Sequence, residues 1–157
     1  MFQVGDKVFY PMHGAGIIKA IEQKEILGEI TDYCVISIPI CNMDIMVPLK
    51  KMEQLGVRSI IDPKTLNEIL YDFHHEKPND SLPWRERYNL NMQKIKSGDM
   101  HDTTDVIRDL LYRSMEKSLN STEKQMLHQA QKNVISELIL IKNISEHQAA
   151  ELLKLTS

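Results

Sequence analysis

Asp62-Pro63 divides this chain into two hydrophobic patterns. Before it, apolar residues gather in short runs broken by glycine, proline and asparagine; after it, they recur every three or four residues. The first pattern makes strands and the second makes helices, so a chain carrying them in series is an α+β protein. Its 157 residues leave room for one domain or two small ones. We therefore expect a β domain over residues 1–60 and an all-α domain over residues 61–157.

In the first part, Gly5-Asp6 marks a turn and Lys7–Tyr10 a short strand. Pro11-Met12-His13-Gly14-Ala15-Gly16 breaks that strand, and its two close glycines suggest a tight bend where backbone passes backbone. Residues 17–26 read as a second strand and Leu27-Gly28-Glu29 as a hairpin turn. Residues 33–38 are rich in β-branched side chains and read as a well-buried strand. After a turn over 39–42, Met43–Pro48 is a fourth strand, with Pro48 implying an edge or an end. Alternation along it puts Met43, Ile45 and Val47 on one face and Asp44 and Met46 on the other, more exposed one. Residues 57–61 allow a fifth. This predicts a small SH3-like or Tudor-like barrel, a unit that binds along an exposed edge or groove.

In the second part, Asp62 caps a helix with Pro63 in its first position, and Leu66, Ile69, Leu70 and Phe73 form its apolar face up to about His74-His75. A polar connection, Glu76-Lys77-Pro78-Asn79-Asp80, leads to Ser81-Leu82-Pro83-Trp84-Arg85-Glu86-Arg87-Tyr88, which holds the one tryptophan of the chain. Pro83 suits the first turn of a helix, with Asp80 or Ser81 as its cap, and Gly98 ends it. Trp84, Tyr88, Met92 and Ile95 share one face. Trp84 reads either as a core residue of the bundle or as a ring projecting beyond the helix end. A third helix is capped by Asp102, a long fourth by Asn120-Ser121-Thr122-Glu123, and a short last one by the capping box Ser145-Glu146-His147-Gln148. The prediction is a bundle of four or five helices.

The chemistry is that of a binding protein. A net charge of −3 argues against holding nucleic acid by electrostatics alone. The charge is uneven, however: residues 84–96 set Arg85, Arg87, Lys94 and Lys96 against Glu86 alone, so any phosphate contact belongs at this helix. Cys34 and Cys41 have no second pair and no histidine at ligand spacing, and read as reduced thiols. His74-His75 reads as a solvated helix end rather than a metal site, and His13 as a turn residue. No nucleophile–base pair or catalytic carboxylate pair stands out, and no cofactor or metal is expected. Without a signal-peptide core or a membrane-length apolar run, the expectation is a cytoplasmic protein, and a monomer is expected.

Taken together these residues resemble the CarD/CdnL family of bacterial transcription regulators. The N-terminal part of the likeness is Phe2-Gln3-Val4-Gly5-Asp6-Lys7-Val8, Tyr10-Pro11-Met12-His13-Gly14-Ala15-Gly16, Asp32-Tyr33 and Met46-Val47-Pro48. The C-terminal part is Leu82-Pro83-Trp84 with Arg87-Tyr88, Lys96-Ser97-Gly98-Asp99, Val106-Ile107-Arg108-Asp109-Leu110, Leu119-Asn120-Ser121-Thr122-Glu123-Lys124, Met126-Leu127 and Ser136-Glu137-Leu138. A similar N-terminal module occurs in the transcription-repair coupling factor, but this chain has no phosphate loop, and its helical half points to the short regulator.

The resemblance implies that the barrel docks on the β subunit of bacterial RNA polymerase. It further implies that the helical domain meets promoter DNA just upstream of the −10 element. Trp84 would wedge into the minor groove at the upstream fork of the bubble and hold the open complex, often at ribosomal RNA-type promoters. Arg87 matches a basic residue of the family's DNA-facing patch, and Arg85 joins it by position and charge. Lys24 and Met46 fall at positions of polymerase contact, with Pro48 beside Met46. Glu86 and Asn89 stand where many relatives carry arginine or lysine, which weakens the expected phosphate grip. Met46 stands where some carry arginine, which suggests a more apolar contact. The alternative is a polymerase-binding interaction module that acts without touching DNA.

Overall fold

In a computed structural model, which describes residues 2–78 and 81–155, five strands are followed by five α-helices. The strands are β1 (Lys7–Tyr10), β2 (Gly14–Ile26), β3 (Glu29–Ile38), β4 (Met43–Pro48) and β5 (Arg58–Ser59). The helices are α1 (Pro63–His75), α2 (Trp84–Ser97), α3 (Met100–Glu116), α4 (Ser121–Lys142) and α5 (Glu146–Leu152). The fold is α+β, with the β unit first and the all-α unit second.

The strands form one antiparallel sheet in the order β4-β3-β2-β1-β5. It is a meander whose last strand returns beside the first. Val8, Ile18, Cys34, Ile36, Ile38 and Val47 form its core. Leu27 and Gly28, both at positive φ, make a two-residue turn that matches the twist of a hairpin. As a result β3 begins at Glu29 rather than near residue 33.

Gly14 to Gly16 do not form the expected bend. They open β2, and the chain bends over residues 11–13 instead, with Met12 at φ 72°. Close backbone approach is nonetheless what Gly16 serves: a Cβ there would lie 2.4 Å from the Ser37 carbonyl oxygen.

The bundle has its own core, in which Leu66, Phe73, Ile107, Leu110, Val134 and Leu138 are buried. Two helix starts differ from expectation. Pro83 is the residue before α2 rather than its first residue, and it caps without a side-chain bond. Of the two expected caps, Asp80 lies outside the described residues and Ser81 is not the capping residue. At α3 the cap is Asp99, whose carboxylate accepts from the Asp102 N–H at 2.9 Å. Gly98, at φ 73°, ends α2 one residue earlier, so α3 starts at once. The Asn120 cap of α4 and the capping box of α5 are present as expected.

β2 packs on α4, where the Ser136 hydroxyl accepts from the Ala15 N–H at 2.8 Å. Beside this contact, Arg58 of β5 forks onto both carboxylate oxygens of Glu137 at 2.8 Å each. Glu137 is buried and also accepts from the Ile61 N–H at 3.0 Å.

Candidate nucleic-acid interface and polymerase face

Trp84 is the first residue of α2 and keeps 41% of its surface exposed. Its ring stacks on Tyr88 one turn later, with centroids 5.6 Å apart and planes 16° apart. Tyr88 and Met92 are half-buried against the bundle core, and Ile95 is buried in it. One helix face therefore runs from solvent to core over three turns, with the tryptophan at the wet end and its footing at the dry end. An aromatic held this way loses little freedom on stacking against something else.

Arg85, Glu86 and Asn89 are exposed around the tryptophan. Arg87 is not: its side chain turns inward and only 8% of the residue is exposed. Its Nη1 donates to the Leu82 carbonyl at 3.1 Å, and its Nη2 stands 3.6 Å from the Glu123 carboxylate. The same Glu123 oxygen is 3.3 Å from Nε of Arg113, on the last turn of α3. Glu123 lies in the first turn of α4, where a negative charge also suits the helix dipole. One buried carboxylate thus joins the start of α2, the end of α3 and the start of α4.

The second surface lies on the sheet. Residues opposite each other in an antiparallel pair share a face, and so do residues two apart. Register aligns Ala20, Val35 and Met46 in one row, Glu22, Tyr33 and Pro48 in the next, and Lys24 and Thr31 beyond. Lys24, Met46 and Pro48 therefore lie on one face, opposite the Ile18–Ile36 core pair. Met46 is 41% exposed, whereas Met43, which alternation puts with the buried Val47, is 54% exposed at the start of the strand, and Lys24 lies 3.8 Å from Glu22. β4 is an edge strand.

Elsewhere, His101 sits 3.5 Å from Asp72 and from Asp105. Among the described residues, Asp72, Glu76 and His101 come close enough to share an ion, as do Asp99, His101 and Asp102. Arg108 already pairs with Glu76 at 3.4 Å and with Asp105 at 3.1 Å, so positive charge is supplied there by the chain itself. His75 stacks on Tyr71, and His74 meets the ring of Phe73 edge-on. Cys34 is a buried free thiol whose pKa burial pushes up; Cys41 is also free and half-buried. No helix among the described residues is long and apolar enough to cross a membrane.

The residue roles of Glu123, Arg113, Arg58 and Glu137 were not visible in the sequence. Glu123 read only as part of a cap, and no local spacing ties it to Arg87 or Arg113.

A small β unit with an exposed edge strand thus precedes a helical part that presents a supported aromatic at a helix start. The sequence matches the family "CarD-like/TRCF RID domain" over residues 2–61 and the family "CarD, C-terminal domain" over residues 68–154. It is 46% identical over 148 residues to the "Putative transcription factor YdeB" of Bacillus subtilis (strain 168), covering 94% of this chain and 97% of that protein. The chain belongs to the CarD family of transcription regulators. Among solved structures, it is similar to the 72-residue N-terminal domain of Myxococcus xanthus CarD, determined in solution by NMR, with 32% identity and a TM-score of 0.33. That match covers 38% of this chain and 79% of the other.

Proposed function

We propose that this chain docks through its sheet face onto the RNA polymerase β subunit and holds the promoter open complex by placing Trp84 at the upstream fork of the bubble. It would do so at ribosomal RNA-type promoters among others, and by binding rather than catalysis. The observation that carries this reading is the Trp84 ring, half in solvent at a helix start and stacked on an anchored Tyr88. Lys24, Met46 and Pro48 on one face supply the docking side, and the β4 edge offers backbone groups for a further strand.

The energies suffice. Wedging a side chain into closed duplex costs a few kcal/mol of unstacking, but at a fork the stack is already interrupted. Trp84 therefore favours the open state, and only that difference shifts the equilibrium. A stacked ring is worth about 1–3 kcal/mol, and a difference of about 1.4 kcal/mol changes an opening equilibrium roughly tenfold. Arg85 remains available for phosphate. Arg87, turned onto Leu82 and Glu123, serves by fixing the turn that carries the ring.

The test is the lifetime of a competitor-challenged open complex on a ribosomal RNA-type promoter. It is measured with the organism's own polymerase alone, with the wild-type factor, and with Trp84→Ala. The wild type should lengthen the lifetime and the variant should not. Lengthening that survives Trp84→Ala would refute the wedge.

One observation favours a second reading, a polymerase-binding module that acts without DNA contact. The Arg87 charge faces Glu123, and Glu86 and Asn89 flank the ring. On that reading Met46→Asp abolishes the effect while Trp84→Ala leaves it intact.

A further inference from the structure

The two proposed surfaces belong to different domains, so a wedge works only if docking one surface fixes the position of the other. Arg58 joins them. It lies on β5, paired with Phe9 of β1, and its guanidinium sits 4.7 Å over the Phe9 ring. Its Nε and Nη2 donate to the Gly98 carbonyl at 3.0 and 2.8 Å. Gly98 is the residue that ends α2, the helix that begins with Trp84. A cation at a helix C-terminus is favourable, so the β domain grips the Trp84 helix at its negative end.

The same guanidinium forks onto Glu137 in α4, and Gly98 fits tightly against the β domain, where an added Cβ would lie 2.7 Å from the Pro11 side chain. We infer that Arg58 and Glu137 are positioning residues that set the angle between the docking face and Trp84. This inference rests on the open-complex reading.

The lever is long. Fourteen residues of helix place the Trp84 end about 20 Å from Gly98, so a tilt of about 10° moves the ring ~3–4 Å. That equals a base-stacking distance, enough to lose the contact. The bidentate fork suits the task, since only a planar guanidinium serves the carboxylate and the carbonyl together.

The experiment uses the full chain with Cys41→Ser and spin labels at Leu27→Cys and Met115→Cys, both exposed positions, while Cys34 stays buried. The label-to-label distance distribution is measured in this parent, in Glu137→Gln and in Arg58→Lys. Thermal unfolding and affinity for a β-subunit fragment are measured alongside. The parent should give one narrow distribution. Glu137→Gln should broaden it, keep β-subunit affinity within about twofold, and lose most of the roughly tenfold lengthening of open-complex lifetime. Arg58→Lys keeps the charge without the fork and should fall between, which also serves if Glu137→Gln fails to fold. An unchanged distribution in both variants, or a broadened one with full lengthening, would overturn the inference. If the parent factor itself does not lengthen the lifetime, the open-complex reading fails, while the distance measurement still decides whether the pair holds the domains.

Discussion

Glu123 is 5% exposed and faces two arginines, so its carboxylate matters more than its place in a cap suggests. Removing it leaves Arg87 buried without its counter-charge. Glu123→Ala should destabilise the chain by about 3 kcal/mol, the low end for a broken buried pair because Arg113 stays partly exposed. Urea unfolding followed by far-UV circular dichroism measures this. Trp84→Ala should cost less: it gives up one stacked pair at the surface, about 1 kcal/mol of stability, while removing the proposed activity. A variant that is folded and inactive separates function from architecture at this residue.

The two cysteines give a second residue-scale check. Burial raises the Cys34 pKa, so the folded state favours the neutral thiol. That contribution is present below the unfolded thiol pKa and fades as pH rises toward the folded one. A disulfide reagent at pH 8 should therefore modify Cys41 readily and Cys34 only at the rate of unfolding.

At the scale of elements, glycine costs separate two kinds of constraint. Gly28 sits at positive φ in open space, so Gly28→Ala pays only for the left-handed backbone, about 1 kcal/mol. Gly16 has ordinary φ, but a Cβ there collides with the Ser37 carbonyl in the middle of the sheet. Gly16→Ala should cost about 3 kcal/mol by forcing β2 and β3 apart. Parallel denaturation curves of the two variants test the ordering. The same contrast explains what was legible beforehand. Lys7–Tyr10, Met43–Pro48, the Asn120 cap and the Ser145 capping box could be read because each is set by residues within a few positions. The start of β2 could not, because Gly14 and Gly16 owe their strand conformation to Tyr10, Val8 and Ser136 rather than to their neighbours in sequence. The α3 cap moved from Asp102 to Asp99 because two plausible acids stood three residues apart, and Gly98 decided between them.

For the whole molecule, the sequence places a β part before a helical part but does not say how they meet, since Arg58 and Glu137 lie 79 residues apart. Yet their joint geometry governs how the chain would act. With a net charge of −3, the free protein should hold DNA weakly, so on the proposed reading docking supplies the concentration that binding lacks. Two quantities then separate. On the proposed reading, docking affinity sets how much factor is needed to occupy polymerase, whereas the Trp84 contact sets how far occupied polymerase favours the open state. Met46→Asp would put a charge into the proposed docking contact, so it should raise the half-saturating concentration roughly tenfold or more without lowering the plateau. Trp84→Ala should leave half-saturation nearly unchanged and bring the plateau down to the level of polymerase alone. Titrating each variant against open-complex lifetime checks both. If the two variants shift the same parameter, docking and wedging are not separable steps, and the chain acts through a single surface.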